Sequence, residues 1–296
     1  MKIPGLRGLG PAELLRRSLA DFGKDEMSTY AAALAYHVLF SLFPFIIFLV
    51  ALLGFLDIPE FFTWLRQQAE VILPAQAMGQ VDSAIDQIQQ PRGGLLSFGV
   101  VVALWSASAG VRAAMSALNV AYDASEGRPA WQLYPLSVLY TVGLAVMLIL
   151  ATALMLIGPR AAQWLGDRLG VGQGATTLWN LLRWPLAVTL LMLAVALLYY
   201  LAPDVKQRFR FITPGSVLAV LVWIAASLGF GFYVQNFGNY SPTYGGIGAV
   251  IVLLLYLYIS SAILLYGAEI NATILRHAPE GKDSGEKVRA TRRVGQ

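Results

Sequence analysis

YGGIGAVIVLLLYLYISSAILLYGAEINATI, residues 244–274, is the last apolar stretch of the chain. A helix needs about 20 mainly apolar residues to cross the hydrocarbon core of a bilayer, so this stretch is long enough to span a membrane. It contains one acidic residue, Glu269, near its C-terminal end. A charge inside a membrane is costly and is normally kept for a partner or a function. The stretch therefore predicts a membrane helix that carries a candidate site.

The composition of the whole chain favours the same class of protein. Apolar residues make up 57% of the 296 residues and charged residues 13%, whereas soluble domains have about 45–50% and about 25%. The mean hydropathy is +0.62. The chain has no cysteine, which excludes disulfide and thiolate chemistry, and its two histidines, His37 and His277, are too few and too far apart for a histidine-based zinc site.

The distribution of charge divides the chain into segments, and we predict an all-α integral membrane protein with six transmembrane helices. The predicted spans are residues 30–56, 93–119, 132–157, 176–201, 212–236 and 246–274. Outside the membrane domain, residues 30–275, we expect an amphipathic cytoplasmic segment at 1–29, an extracytoplasmic helical hairpin at 57–92, a short loop at 160–174 and a basic, disordered cytoplasmic tail at 276–296. Residues 13–22 are expected to form a short helix on the membrane surface, with an ordinary solvated helix as the alternative.

The basic residues predict the orientation of these spans. With six spans, both termini lie on one side, and 16 of the 21 Lys and Arg residues fall in segments on that side. Cytoplasmic loops carry the excess of Lys and Arg in membrane proteins. We therefore expect both termini in the cytoplasm and the acidic hairpin outside.

Polar side chains recur at helical spacing inside three predicted spans, the first, second and sixth. They indicate a polar interior shared by these spans, and ordinary hydrogen bonding between helices is the alternative. The candidate interior or substrate-pathway residues are Tyr36, His37, Ser41, Pro44, Trp105, Ser108, Arg112, Asn119, Tyr258, Ser261, Glu269 and Asn271. The candidate hinge or gate residues are Pro44, Pro214, Gly215, Tyr244, Gly245 and Gly246.

Two charged residues of this set are predicted to meet. Arg112 and Glu269 both lie toward the cytoplasmic ends of their spans, so that an ion pair between the second and sixth spans would hold both charges in a low dielectric. The alternative is that Arg112 extends to the lipid headgroups. Histidine is the side chain that most readily changes its charge near neutral pH, so His37 could act as a proton-linked switch, although a single interior histidine is more often a hydrogen-bonded packing residue.

Four ordered blocks of sequence resemble the YihY/BrkB family of bacterial inner-membrane proteins. They are AALAYHVLFSLFPFIIFL at 32–49, LWSASAGVRAAMSALNVAYD at 104–123, YLAPDVKQRFRFITPGSVLAVLVW at 200–223 and YGGIGAVIVLLLYLYISSAILLYGAEINA at 244–272. The resemblance implies a six-helix bundle with cytoplasmic termini. A tyrosine pair is frequent in the first block of the family, and here it is Tyr36–His37. Some members were once labelled ribonuclease BN.

The resemblance supplies no mechanism, and the residues favour a non-enzymatic membrane function. No clustered set of metal ligands, no nucleophile–base pair and no basic groove with interleaved aromatics is visible, so we expect neither an enzyme nor a nucleic-acid partner and no cofactor. The first interpretation is a transporter or exporter of a lipid or small solute. The alternative is an envelope-assembly or scaffold protein that docks partners through the outer hairpin. Membrane lipids are expected partners, and a homo-oligomer is compatible with the sequence.

Overall fold

A computed structural model of the chain describes residues 10–56, 63, 79, 93–156, 158–169, 173–205, 213–237 and 245–277. The regular elements in these ranges are all α-helices. They are α1 Pro11–Lys24, α2 Met27–Leu56, α3 Gly93–Ala121, α4 Ala130–Leu156, α5 Gly158–Leu169, α6 Gln173–Leu201, α7 Pro214–Phe237 and α8 Gly245–His277. The predicted outer hairpin, apart from residues 63 and 79, and the predicted tail beyond residue 277 lie outside the described residues.

Among the described residues, five helices contain stretches that are long and apolar enough to cross a membrane. These stretches are Gly99–Ala121, Ala130–Met155, Thr176–Leu201, Pro214–Asn236 and Val250–His277. Their outer surfaces carry many exposed Leu, Val, Ile and aromatic side chains, such as Leu181 and Leu228. Exposed apolar surface on this scale suits a lipid environment rather than water. The fold is therefore that of an α-helical integral membrane protein.

The long helices alternate in direction. At one end of the bundle, the loop after α3 contacts the loop after α6, because the backbone N–H of Gly127 donates to Asp204 Oδ2 at 2.9 Å. At the same end, the start of α7 contacts the last turns of α8 through a 2.9 Å hydrogen bond from Gly215 N to Asn271 Oδ1. The loop after α3 also reaches the end of α8, where Arg276 binds Asp123.

The tightest packing in the protein lies at this end. Small side chains such as Ala31, Ala117 and Ala268 are fully buried between α2, α3 and α8, and Met27 and Leu118 fill the space between them. Small residues allow membrane helices to approach closely, which replaces the missing hydrophobic driving force between helices in lipid with van der Waals contact. We call this end of the bundle the α1 end, because it contains helix α1 as well as the buried residues named here.

Helix α1 is the amphipathic helix that the sequence indicates over residues 13–22. Pro11 stands at its first turn, where proline is tolerated, and Glu13 in the first turn and Lys24 in the last turn complement the helix dipole. Its buried face carries Leu14 and Ser18. This face packs on α8, where Ser18 Oγ donates to Thr273 Oγ1 at 3.3 Å.

The predicted loop at residues 160–174 is wrong over most of its length, because residues 158–169 form the amphipathic helix α5. Gly158 begins this helix and lies directly against the indole ring of Trp179 on α6. A Cβ at position 158 would overlap that ring. Trp179 lies about 30 Å from Tyr199 along the same helix, at a rise of about 1.5 Å per residue. Tyr199 belongs to the core of the α1 end. Helix α5 therefore marks the opposite end of the bundle, which we call the α5 end.

Candidate functional site: a cleft between α2 and α3

A cleft of about 490 Å³ opens between α2 and α3. Its lining is largely apolar and aromatic, with a histidine and two serines, and consists of His37, Phe40, Ser41, Phe43, Pro44, Trp105, Ser106 and Ala109. Phe43 and Trp105 are 63% and 57% exposed, so the cleft is open on the lateral face of the bundle. Ligand sites in proteins commonly have volumes of about 300–1,000 Å³, and this cleft falls within that range.

The polar groups of the cleft come from the first and second predicted spans. His37 is half-buried. A Cβ added to Gly110 of α3 would lie 3.8 Å from the Cβ of His37, which is an ordinary van der Waals distance. Ser41 satisfies its hydroxyl within α2, since Oγ donates to the carbonyl oxygen of Val38 at 2.8 Å. The residues predicted at this place, His37, Ser41, Pro44 and Trp105, thus share one cleft. Tyr36 lies outside it and is 53% exposed, and its ring centre lies 4.4 Å from that of Phe40 with the ring planes tilted by 37°.

Arg112 does not line the cleft, but it contacts Trp105, which does. Its Nη1 donates to Ser108 Oγ at 2.8 Å and to Ser137 Oγ of α4 at 3.1 Å. Its guanidinium carbon lies 4.6 Å from the ring centre of Tyr134 and 5.5 Å from that of Trp105. Both distances are within the range of cation–π attraction, which stabilises the half-buried charge of Arg112, and no carboxylate of the described residues forms an ion pair with it.

The two aromatic rings around Arg112 also contact each other. Trp105 and Tyr134 are stacked with centroids 5.7 Å apart and planes 20° apart. Ser108 and Ser137 are fully buried. The cleft wall formed by Trp105 is therefore backed by a positively charged side chain that α3 and α4 hold in place.

The predicted ion pair between Arg112 and Glu269 is wrong. Arg112 faces α4, where Ser137 and Tyr134 bind it. Glu269 instead pairs with Arg276, whose Nη2 lies 3.3 Å from Glu269 Oε2. Both residues are on polar faces, as predicted, but the two faces point to different neighbours.

Glu269 belongs to a charged cluster at the α1 end. Arg276 also binds Asp21 of α1 at 3.2 Å and Asp123 after α3 at 3.0 Å. Glu269 is fully buried, and no hydrogen-bond donor among the described residues reaches its Oε1. The cluster connects three parts of the chain through one guanidinium. Asp25 lies near it, and burial together with the charge of Asp123 raises the pKa of the Asp25 carboxyl above its ordinary value.

Two asparagines of the predicted pathway hold backbone segments in place. Asn119 donates to Glu126 Oε2 at 2.9 Å and accepts from the backbone N–H of Asp204 at 2.7 Å, so it joins two loops. Burial acts to raise the pKa of Glu126, but the hydrogen bonds from Arg128 outweigh it and hold that pKa below its ordinary value. Asn271 accepts from Gly215 N and donates to Thr213 Oγ1 at 2.9 Å. Neither amide lines the cleft.

The remaining predicted positions lie away from the cleft. Ser261 is 8% exposed on α8, and Tyr258 packs against the core of the α1 end. Pro214 begins α7, and Gly215 lies against the backbone of Gly267 in the crossing of α7 and α8, so Gly215 occupies a close helix contact. Gly245 and Gly246 are the first residues of α8, and Tyr244 lies outside the described residues.

Three residues at these sites escaped prediction. Arg276 was assigned to the tail, although it lies within one turn of two other polar residues of α8, Thr273 and His277. Tyr134 and Ser137 of α4 are three positions apart on one helical face, and this spacing could have indicated a partner for Arg112. In the part of the chain that the structure describes, no group of three His, Asp or Glu side chains is placed to hold a metal ion.

The fold is that of a multi-helix membrane protein with an open lateral cleft. The family model described as virulence factor BrkB matches residues 18–291, and the chain belongs to this family. It is 36% identical to the putative ribonuclease-like protein YfkH of Bacillus subtilis, over 88% of this chain and 94% of that protein. It is 27% identical to UPF0761 membrane proteins of Xanthomonas campestris, over 90% of this chain, and spans 64% of their length. No solved structure matches it.

Proposed function

We propose that the chain is a transporter or exporter of the bacterial cytoplasmic membrane that binds a lipid or lipid-like amphiphile in the cleft between α2 and α3. The observation that carries this proposal is the mixed lining of an open lateral cleft. Phe40 and Phe43 suit an acyl chain, whereas His37, Ser41 and Ser106 offer hydrogen bonds to a polar group. An enclosed polar cavity would favour a small solute instead.

The side chain of Arg112 adds a preference for negative charge. Its guanidinium contacts Trp105 and is held by neutral partners, Ser108 and Ser137, and no acid among the described residues forms an ion pair with it. Electrostatic attraction acts over several ångströms in a low dielectric. An amphiphile with an anionic headgroup would therefore be favoured over a cationic one.

The proposal includes six spans with both termini in the cytoplasm. Helix α2 has 30 residues without a single Asp, Glu, Lys or Arg and runs antiparallel to α3, so we assign it as the remaining span. The α1 end carries most of the chain's Lys and Arg by sequence, which supports a cytoplasmic position for that end. The proposed activity is binding and movement, without bond chemistry, cofactor or nucleic acid, and a homo-oligomer is compatible with it.

Filling the cleft tests this proposal. Ala109 lines the cleft, so Ala109→Phe should occupy its volume and abolish most of the movement of a fluorescent anionic phospholipid in proteoliposomes. The matched control is Ala145→Phe, which adds the same side chain on the exposed face of α4. Equal flux in the two variants would contradict a role for the cleft.

A scaffold role through the outer hairpin is the alternative function. Of residues 57–92, only residues 63 and 79 lie among those described. Deleting residues 76–90 separates the two functions. A transporter should keep its lipid flux after the deletion, whereas a scaffold should lose crosslinking to its partner in cells and show no flux in either form.

A further inference from the structure

Helix α1 keeps an exposed apolar surface after it has packed on α8. Leu14 and Ser18 are buried on the face that contacts α8, whereas Leu15 is 39% exposed and Leu19 is 62% exposed. By sequence alone, the leucines of this helix belong to one apolar face. The structure divides that face into a part that binds α8 and a part that remains exposed, and the rotation of α1 about its axis determines where the exposed part points.

Two rows of side chains run along α1, one apolar and one mainly charged. Residues three and four positions apart lie on the same face of a helix. The apolar row consists of Leu15, Leu19 and Phe22, and the charged row consists of Glu13, Arg17, Ala20 and Lys24. With 3.6 residues per turn, the two rows point in nearly opposite directions.

Contacts with α8 show which row faces the centre of the bilayer. The ring centre of Phe22 lies 6.2 Å from that of Tyr266, whose Oη donates to the backbone carbonyl of Leu15 at 3.1 Å. On the other row, Nη1 of Arg17 lies 3.0 Å from Nε2 of His277, the last residue of α8. Tyr266 precedes His277 by about 16 Å along α8 at 1.5 Å per residue. The apolar row therefore faces the bilayer centre, and the charged row faces away from it.

The length of α8 gives the depth of α1. The apolar stretch Val250–His277 is about 40 Å long at 1.5 Å per residue, which matches the thickness of a bilayer with its headgroup layers. The hydrocarbon core takes up about 30 Å of this thickness, so each headgroup layer is about 5–8 Å deep. With His277 at the outer edge of one layer, Tyr266 lies within the hydrocarbon. Helix α1 contacts both residues and therefore lies at the boundary between headgroups and hydrocarbon.

The charge on α1 suits this position. Arg16 is 80% exposed and lies between the two rows, on the opposite side of the helix from Leu14. That position is level with the negatively charged phosphates of the leaflet. Helices that lie in a membrane interface have their apolar face about 5–10 Å into the boundary with the acyl chains and Lys and Arg on the polar face. The charged row of α1, with Arg17 and Lys24, has this arrangement.

We propose that Leu15 and Leu19 insert among the phospholipid acyl chains of the leaflet at the α1 end, so that α1 binds α8 with one face and lipid with the next. The buried face with Leu14 and Ser18 holds α1 on α8 without this lipid contact. A substitution at Leu19 therefore changes the contact with lipid and leaves the docking of α1 intact. Contact of α1 with lipid depends neither on the cleft nor on transport.

A fluorescent probe on α1 tests this position, since the chain has no cysteine and a single introduced one can be labelled. Leu19→Cys is labelled with the dye NBD and reconstituted in nanodiscs of phosphatidylcholine and phosphatidylglycerol. The matched control is Ala20→Cys, because Ala20 is the next residue, is also exposed and belongs to the charged row. The quenchers are a phospholipid with a nitroxide on its acyl chain and iodide in the water.

The nitroxide lipid should quench the probe at position 19 severalfold more strongly than the probe at position 20, and iodide should quench them in the reverse order. Equal quenching of the two probes by the nitroxide lipid would overturn the proposal, because α1 would then have no lipid-facing side. Stronger quenching by iodide at position 19 would place Leu19 in water and also overturn it. Protection of position 19 from both quenchers would mean that protein covers this face, which would equally contradict insertion into lipid.

Discussion

At the scale of single residues, the charged cluster at the α1 end depends on Arg276. Removing this guanidinium would leave Glu269 fully buried with no positive partner. We expect Arg276→Ala to lower the free energy of unfolding by about 2–3 kcal/mol, somewhat below the range for fully buried pairs, because Arg276 itself is partly exposed. Adding Glu269→Gln should recover part of this loss, since the uncompensated charge is then gone.

Thermal unfolding in detergent measures this effect. Arg16→Ala is the control, because the side chain of Arg16 is 80% exposed and pairs only with Glu13 on the surface of α1. An exposed pair of this kind contributes about 0–1 kcal/mol. If the double variant Arg276→Ala/Glu269→Gln is no more stable than Arg276→Ala alone, the pair does not account for the loss.

The pH dependence of Asp25 is a second prediction at this scale. Burial and the nearby charge of Asp123 raise the pKa of Asp25, so the folded state favours the protonated acid. The carboxylate therefore destabilises the fold above its folded pKa, and this effect disappears below the ordinary value of 3.8. Asp25→Asn should raise the melting temperature at neutral pH, and the gain should shrink as the pH falls toward about 4.

Asp123→Asn should change the melting temperature in the opposite direction from Asp25→Asn. Asp123 forms an ion pair with Arg276 at 3.0 Å. Neutralising the Asp123 carboxylate therefore removes a favourable contact while it relieves repulsion with Asp25. We expect the melting temperature to fall at neutral pH. A gain with Asp123→Asn as large as that with Asp25→Asn would show that the two acids repel more strongly than Arg276 attracts them.

At the scale of helices, α1 is held to α8 by one buried face. Leu14 is 5% exposed and Leu19 is 62% exposed on the same helix. Leu14→Ala should weaken the docking of α1 by about 2–3 kcal/mol, at the lower end of the range for buried leucines because α1 lies at the edge of the bundle. Faster hydrogen exchange of α1, with the other helices unchanged, would report this undocking. Leu19→Ala should exchange like the wild type, and equal effects of the two variants would argue against a docked α1.

The crossing of α7 and α8 requires a glycine at position 267. A Cβ there would lie 2.7 Å from the carbonyl oxygen of Gly215 and 2.8 Å from the Cβ of Ala219. Because these neighbours are backbone and a helix-bound methyl, Gly267→Ala should destabilise the protein by about 1–3 kcal/mol despite the better helix propensity of alanine. Gly229→Ala is the matched control, since Gly229 lies in α7 with nothing within 4 Å, and it should be neutral or slightly stabilising in a thermal melt.

At the scale of the whole molecule, the absence of cysteine from the chain makes its orientation directly testable. Ser125, in the loop after α3, and Gln163, on α5, are both exposed and lie at opposite ends of the bundle. With cytoplasmic termini, Ser125→Cys should react with an impermeant maleimide only in inside-out vesicles and Gln163→Cys only in right-side-out vesicles. The reverse pattern would invert the orientation, and labelling of both from one side would contradict the antiparallel bundle.

Much of the fold follows from local sequence. Long runs without charge, such as residues 211–268, predict membrane helices because only a helix satisfies every backbone hydrogen bond within one segment in lipid. The same reasoning predicted a loop at residues 160–174, where Arg160, Asp167 and Arg168 interrupt the apolar sequence. This prediction was wrong because an amphipathic interfacial helix such as α5 tolerates charges on its polar face.

The polar contents of the helices were predicted, but their partners were decided by the tertiary structure. The sequence determined that Arg112 and Glu269 lie inside membrane helices and that His37 and Ser41 share a face. Helical periodicity gives the direction of a side chain relative to its own helix, but not which neighbouring helix lies there. Packing placed Ser137 and Tyr134 beside Arg112, Arg276 beside Glu269, and α3 against α2 so that Trp105 and His37 line one open cleft.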